Sequence, residues 1–120
     1  MVELLAARVP AFATSDWGRE ILATQRDLPY VVFGSFASFL NGLLSAHRPL
    51  DATVEASFQL LNEMGGAADQ RVIDLASAGV FEVLTDSPQS IRVARELLYG
   101  RGLDLFEQMV QVWGAESGDP

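Results

Sequence analysis

Leu28–Ala46 runs for nineteen residues without a charged side chain, and no other feature of the chain narrows its fold as far. Pro29 suits the first turn of a helix, where a backbone N–H has no intrahelical acceptor to lose. Tyr30, Phe33, Ala37, Leu40 and Leu44 then recur at helical spacing as one apolar stripe. Val32, Phe36, Phe39 and Leu43 form the adjoining one. A helix apolar around so much of its girth belongs either at the centre of a bundle or in a bilayer. Spanning a bilayer takes about 20 predominantly apolar residues, whereas Ser35, Ser38, Asn41 and Ser45 interrupt this run. The flanking segments also supply amphipathic helices able to cover it. The central buried helix is the reading.

The remaining segments read as its neighbours. Val2–Val9 is a short helix stopped by Pro10. Thr14, Ser15 and Asp16 are all able to cap a second helix that runs to about Gln25, burying Trp17, Ile21 and Leu22. His47-Arg48-Pro49 ends the central helix, and Asp51 caps the next, which reaches Met64 and buries Val54, Phe58, Leu60 and Leu61. After the Gly65-Gly66 break, a helix from about Ala68 to Leu84 offers a narrow face of Val72, Ala76, Gly79 and Val83, flanked by Ile73, Leu75, Val80 and Leu84. Phe81 lies off that face, either covered by the C-terminal helix or exposed as an anchor. Ser87-Pro88 is a cap followed by a first-turn proline, opening a helix with Ile91, Ala94, Leu97 and Leu98 inside. Gly100 and Gly102 break it. Leu103–Trp113 closes the series, burying Leu105 or Phe106, Met109, Val112 and Trp113.

No segment alternates as a strand would. The expectation is an all-α fold: one compact domain of about six helices over residues 1–114, with a flexible tail at 115–120. The 51–64 and 68–84 helices suggest one HEAT-like pair, without a second clean copy that would make a repeat.

Catalysis needs converging groups, and the sequence assembles none. Cysteine is absent, so there is no thiol nucleophile and no thiolate ligand. The single histidine, His47, stands at a helix end, where it meets terminal carbonyls or solvent. There is no HExxH motif, no EF-hand loop, no GxSxG elbow and no phosphate-binding loop, for which the lysine is missing as well. The expectation is therefore no enzyme, no cofactor and no metal. The scattered arginines also make a poor phosphate-binding surface, since Glu96 and Asp104 neighbour Arg92, Arg95 and Arg101. Nucleic acid is not an expected partner, nor is a membrane. The N-terminus carries Glu3 where an export signal carries basic residues, which points to the cytoplasm.

Charge is what remains. Sixteen acids against eight bases leave −8. Residues 1–60 hold six acids and four arginines, a balance of −2, while residues 61–120 hold ten and four, a balance of −6. An acidic half either keeps the chain soluble or attracts a basic protein surface. On the second reading the candidate partner-binding residues are Asp69, Asp74, Glu82 and Asp86, with Phe81 as anchor. Reversing those acids is expected to leave the melting temperature nearly unchanged, because exposed charges contribute little to stability.

Leu28-Pro29-Tyr30-Val31-Val32-Phe33-Gly34, Phe58-Gln59-Leu60-Leu61-Asn62-Glu63-Met64, Asp69-Gln70-Arg71-Val72 and Gly79-Val80-Phe81-Glu82-Val83-Leu84 form a sequence of core patterns ending in an aromatic helix at Trp113. Over Leu28–Trp113 they resemble small bacterial all-helical proteins met among the immunity and antitoxin genes of polymorphic toxin systems. The resemblance departs at Val80, where that pattern carries an aromatic; here Phe81 follows one place later. It implies a non-enzymatic domain that neutralises a basic toxin domain by direct binding. The alternative is a stand-alone structural or regulatory interaction domain. Whether the chain is a monomer or a homodimer is open at this stage.

Overall fold

Helices alone, with no strand, build residues 1–46 and 52–113, the part of the chain that the computed structural model describes. The side chain of Trp113 lies outside the description, as do the His47-Arg48-Pro49 terminus, the Asp51 cap and the 115–120 tail. In chain order come α1 (Val2–Arg8), α2 (Pro10–Ala13), α3 (Asp16–Thr24), α4 (Pro29–Ser45) and α5 (Ala52–Gly65). Then follow α6 (Gln70–Ala76), a π turn (Ser77–Phe81), α7 (Glu82–Leu84), α8 (Pro88–Leu97) and α9 (Gly100–Trp113). No helix among the described residues is long and apolar enough to cross a membrane.

α4 is the axis of the bundle. Pro29 stands in its first turn, and Val32, Phe33, Phe36, Ala37, Leu40 and Leu44 are buried along it. Phe36 meets Phe33 and Phe12 edge-on, with ring centroids 6.2 and 5.7 Å apart, and Phe39 meets Phe12 at 5.5 Å. These offset rings add attraction beyond the area they bury. Tyr30, expected in the buried stripe, is instead 52% exposed. It sits at the first turn of α4, beyond the reach of the layers that cover the middle of the helix.

The N-terminal third departs from expectation in two places. Pro10 does end α1, but it also opens the one-turn α2. In α3 the inward residues are Gly18 and Leu22, with Ile21 half-buried, and Trp17 is 58% exposed. The cause is a close approach. Ser15 caps α3, its Oγ accepting from Gly18 N at 3.0 Å and donating to Phe12 O at 2.7 Å. A Cβ on Gly18 would stand 1.9 Å from that same carbonyl oxygen. Position 18 must face inward and must be glycine, which turns Trp17 outward.

The 68–84 helix is not continuous. α6 starts later, capped by Asp69, and the π turn at 77–81 takes up one residue more than an α-turn would. Before the turn Ile73, Leu75 and Ala76 are buried; within it Gly79, Val80 and Phe81 are, and beyond it Leu84 and Thr85, so the extra residue brings Phe81 inside. Val72 and Val83, expected at the centre of the face, are half-buried. α5 packs most widely on α9, and the 70–84 arm on α4, so these two are not an isolated helix pair.

α9 begins at Gly100, whose φ of +57° is a left-handed conformation suited to glycine. Gly102, expected as a break, is inside the helix and marks the crossing with α5. A Cβ on Gly65 would lie 2.7 Å from Gly102 Cα. Asn62 completes that crossing by clamping the α8–α9 turn: its Nδ2 donates to Leu97 O at 3.1 Å and its Oδ1 accepts from Tyr99 N at 3.0 Å. Along α9, Phe106 and Val110 are buried and Leu103, Leu105 and Met109 half-buried, while Val112 is 63% exposed, against expectation.

Candidate functional site

The five expected partner-binding residues fall in three different settings. Phe81 is fully buried, with its ring edge-on to Phe106 at a centroid distance of 5.6 Å. It is covered by the C-terminal helix and is not an anchor for a partner. The π turn is the reason, because the extra residue rotates position 81 from the flank of the helix into the core.

Asp69 and Asp74 share a groove of about 490 Å³, which Tyr30, Pro29, Met1, Arg71, Val72 and Leu75 also line. Asp69 is the N-cap of α6, its Oδ1 accepting from Arg71 N at 2.9 Å. The Arg71 guanidinium closes on the same carboxylate, with Nε 3.2 Å from Oδ1 and Nη2 2.9 Å from Oδ2. The side-chain bonds from Arg71, then the backbone bond, hold the Asp69 carboxyl below the usual range. Asp69 is therefore a structural cap. Reversing its charge removes the cap, at about 0.5–2 kcal/mol, which corrects the expectation of an unchanged melting temperature at this position. Among the described residues Asp74 accepts only from the neutral Gln70 amide, at 2.8 Å.

Glu82 and Asp86 do not line this groove. Asp86 is exposed just beyond α7 and Glu82 half-buried within it. The Glu82 main-chain oxygen accepts from Thr85 Oγ. Among the described residues no arginine comes within ion-pair reach of Asp74, Glu82 or Asp86.

Most of the described arginines are occupied elsewhere. Arg8 straddles Glu63, with Nη1 2.9 Å from Oε1, and ties α1 to α5. Its hydrogen bonds hold the Glu63 carboxyl below the usual range. That contribution is present above the unfolded carboxyl's pKa and fades as pH falls through the folded one. Arg26 grips Glu3 at 2.5 and 2.6 Å, and Arg95 holds Glu107 across α8 and α9 at 3.0 Å. Arg19 reaches Asp16 at 4.0 Å, and Arg92 donates to Gln89. The free charge of the described surface is thus more one-sided than the formal balance: cations are spent on internal pairs, and carboxylates are left over.

Sequence reasoning missed Tyr30 as a surface residue. The available signal was its place directly after Pro29, at the end of the helix rather than in its covered middle. Among the described residues no three His, Cys, Asp or Glu side chains gather as a metal site would need. Comparison with protein-family models, with curated proteins and with solved structures finds no match for this chain.

Proposed function

We propose that this protein is a non-enzymatic binding domain of the immunity or antitoxin kind, which neutralises a basic bacterial toxin domain in the cytoplasm by docking on it through an acidic surface. One observation carries the reading: Asp74 and Glu82 on one arm of the bundle, and Asp86 just beyond it, have no arginine within ion-pair reach among the described residues, while most described arginines are engaged with other acids. Charges left free in this way speed encounter with a surface of opposite sign and discriminate against acidic partners. A rigid helical body also suits an inhibitor that blocks an active site by occupying it. The toxin class follows from the sequence resemblance over Leu28–Trp113.

The test is interferometry against the purified product of any adjacent gene, followed by rescue of cells from that product's toxicity. Association is expected to slow as salt rises, since interactions longer than about 8–10 Å are screened at physiological ionic strength. Asp74→Arg, Glu82→Arg and Asp86→Arg together are expected to slow association about tenfold or more, with an unchanged melting temperature. If the triple reversal leaves on-rate and rescue intact, the acidic surface is not the docking surface and the reading fails.

A further inference from the structure

We propose that the groove beside Tyr30 receives an arginine side chain presented by a basic segment of the partner protein. This rests on the protein-binding reading above and names the chemistry that the surface recognises. The walls supply both halves of what a guanidinium needs. Pro29, Val72 and Leu75 are apolar and able to cover an aliphatic stem. Tyr30 is half open to solvent, with ring atom Cδ1 3.8 Å from where a Gly79 Cβ would stand, so one edge is held against the π turn. A tyrosine ring exposed to this extent offers surface on which a planar cation stacks.

Asp74 supplies the charge. Its carboxylate lines the groove, bonded to a neutral amide and, among the described residues, to no cation. The neighbouring Asp69 already shows the complementary arrangement, since Arg71 forks onto both of its oxygens. Arg71 pairs with Asp69, and among the described residues no cation stands within ion-pair reach of Asp74. Lysine fits less well, having a compact ammonium that neither stacks flat nor forks.

The experiment is a titration of isotope-labelled protein with an acetylated, amidated hexa-arginine peptide, followed by amide chemical shifts, with hexalysine in parallel. Shifts are expected to concentrate at Tyr30, Val72, Asp74 and Leu75. Tyr30→Leu, which keeps an apolar side chain and removes the ring, and Asp74→Asn are each expected to weaken binding about twofold to fivefold. Arg71→Gln frees Asp69 and is expected to tighten it. Glu82→Gln with Asp86→Asn is expected to change affinity less than either groove variant, and hexalysine to bind more weakly. Shifts spread evenly over the acidic surface, or an unchanged affinity in Tyr30→Leu, would overturn the proposal. The cognate partner separates this from the broader reading. A partner that ignores Tyr30→Leu and Asp74→Asn but is lost on Glu82→Arg with Asp86→Arg removes the groove and leaves protein binding standing. If no gene neighbour binds at all, the broader reading falls, and the peptide titration still decides the groove.

Discussion

α4 and the 70–84 arm that packs on it are both helical and both apolar, yet they meet the core in different ways. α4 keeps one phase over seventeen residues, so Phe33, Phe36, Ala37, Leu40 and Leu44 all reach the interior from one register. The arm changes phase once, at Ser77–Phe81. Its first part buries aliphatic side chains, Ile73, Leu75 and Ala76, and its later part adds an aromatic one, Phe81. The difference shows what a π turn is for in this bundle. Close approach of the arm to α4 requires a small residue, Gly79, while contact with α9 requires an aromatic, and a single α-helical face does not offer both.

Deletions provide the harshest test of that contrast. Removing Ser38, exposed midway along α4, rotates the rest of the helix by about 100°. Leu40 and Leu44 leave the core, at roughly 1.5–3 kcal/mol each, and no cooperative thermal transition is expected. Removing Ala78, exposed in the π turn, takes away one residue where there is one to spare. The arm is then expected to close as a continuous α-helix with Phe81 still inside, and to melt cooperatively close to wild type. Calorimetry on the two deletions decides; equal damage would mean that the π turn holds no slack.

Phe81→Ala comes next in size. A fully buried ring in edge contact with Phe106 is expected to be worth about 3–5 kcal/mol, read from urea midpoints. Phe39→Ala, at a half-buried ring on α4, is expected to lose less. If Phe81→Ala were the milder of the two, the aromatic contact between arm and α9 would not be the main tie between them.

These two regions also mark what was legible in the sequence. The extent of α4, its first-turn proline, Val54, Phe58, Leu60 and Leu61 of the buried set of α5 and the Ser87 cap could be read because each is a local property of spacing or of one side-chain type. The π turn could not, because a hydrophobic period assumes a constant phase. Gly18 and Gly102 escaped for another reason. Their roles depend on Phe12 O and on Asn62 and Gly65, atoms brought close only by the fold. The candidate site divides in the same way: Asp69 and Asp74 were placed on the surface, the pairing of Asp69 by Arg71 is local to the helix cap and went unread, and the neighbourhood of Tyr30 is a tertiary fact.

Gly79 sharpens the comparison at the contact itself. A Cβ there would meet Leu75 Cδ1 at 3.3 Å and Phe33 Cβ at 3.5 Å. Gly79→Leu is expected to overpack the contact and lose about 1–3 kcal/mol. Gly79→Ala is expected to be near neutral, because the Leu75 methyl can yield and alanine regains up to ~1 kcal/mol of helix propensity. A leucine variant that melts at the wild-type temperature would place position 79 away from α4.

The smallest expected effect lies at the start of the phase change. Ser77 Oγ is buried and has no hydrogen-bond partner among the described residues, although a helical serine ordinarily bonds back to a carbonyl one turn earlier. Thr85 shows the ordinary case on the same arm: its buried Oγ donates to Glu82 O at 2.6 Å. A hydroxyl taken from water without a bond is unfavourable, and alanine suits a helix better than serine. Ser77→Ala is therefore expected to raise stability slightly, by up to about 1 kcal/mol, whereas Thr85→Ala is expected to lower it by about that much. The sign is the discriminating result, read from urea midpoints of the two variants side by side. A loss in Ser77→Ala would mean that the hydroxyl does find an acceptor and that the π turn is pinned by a side chain. Slack in the backbone would then no longer explain why the arm changes phase where it does.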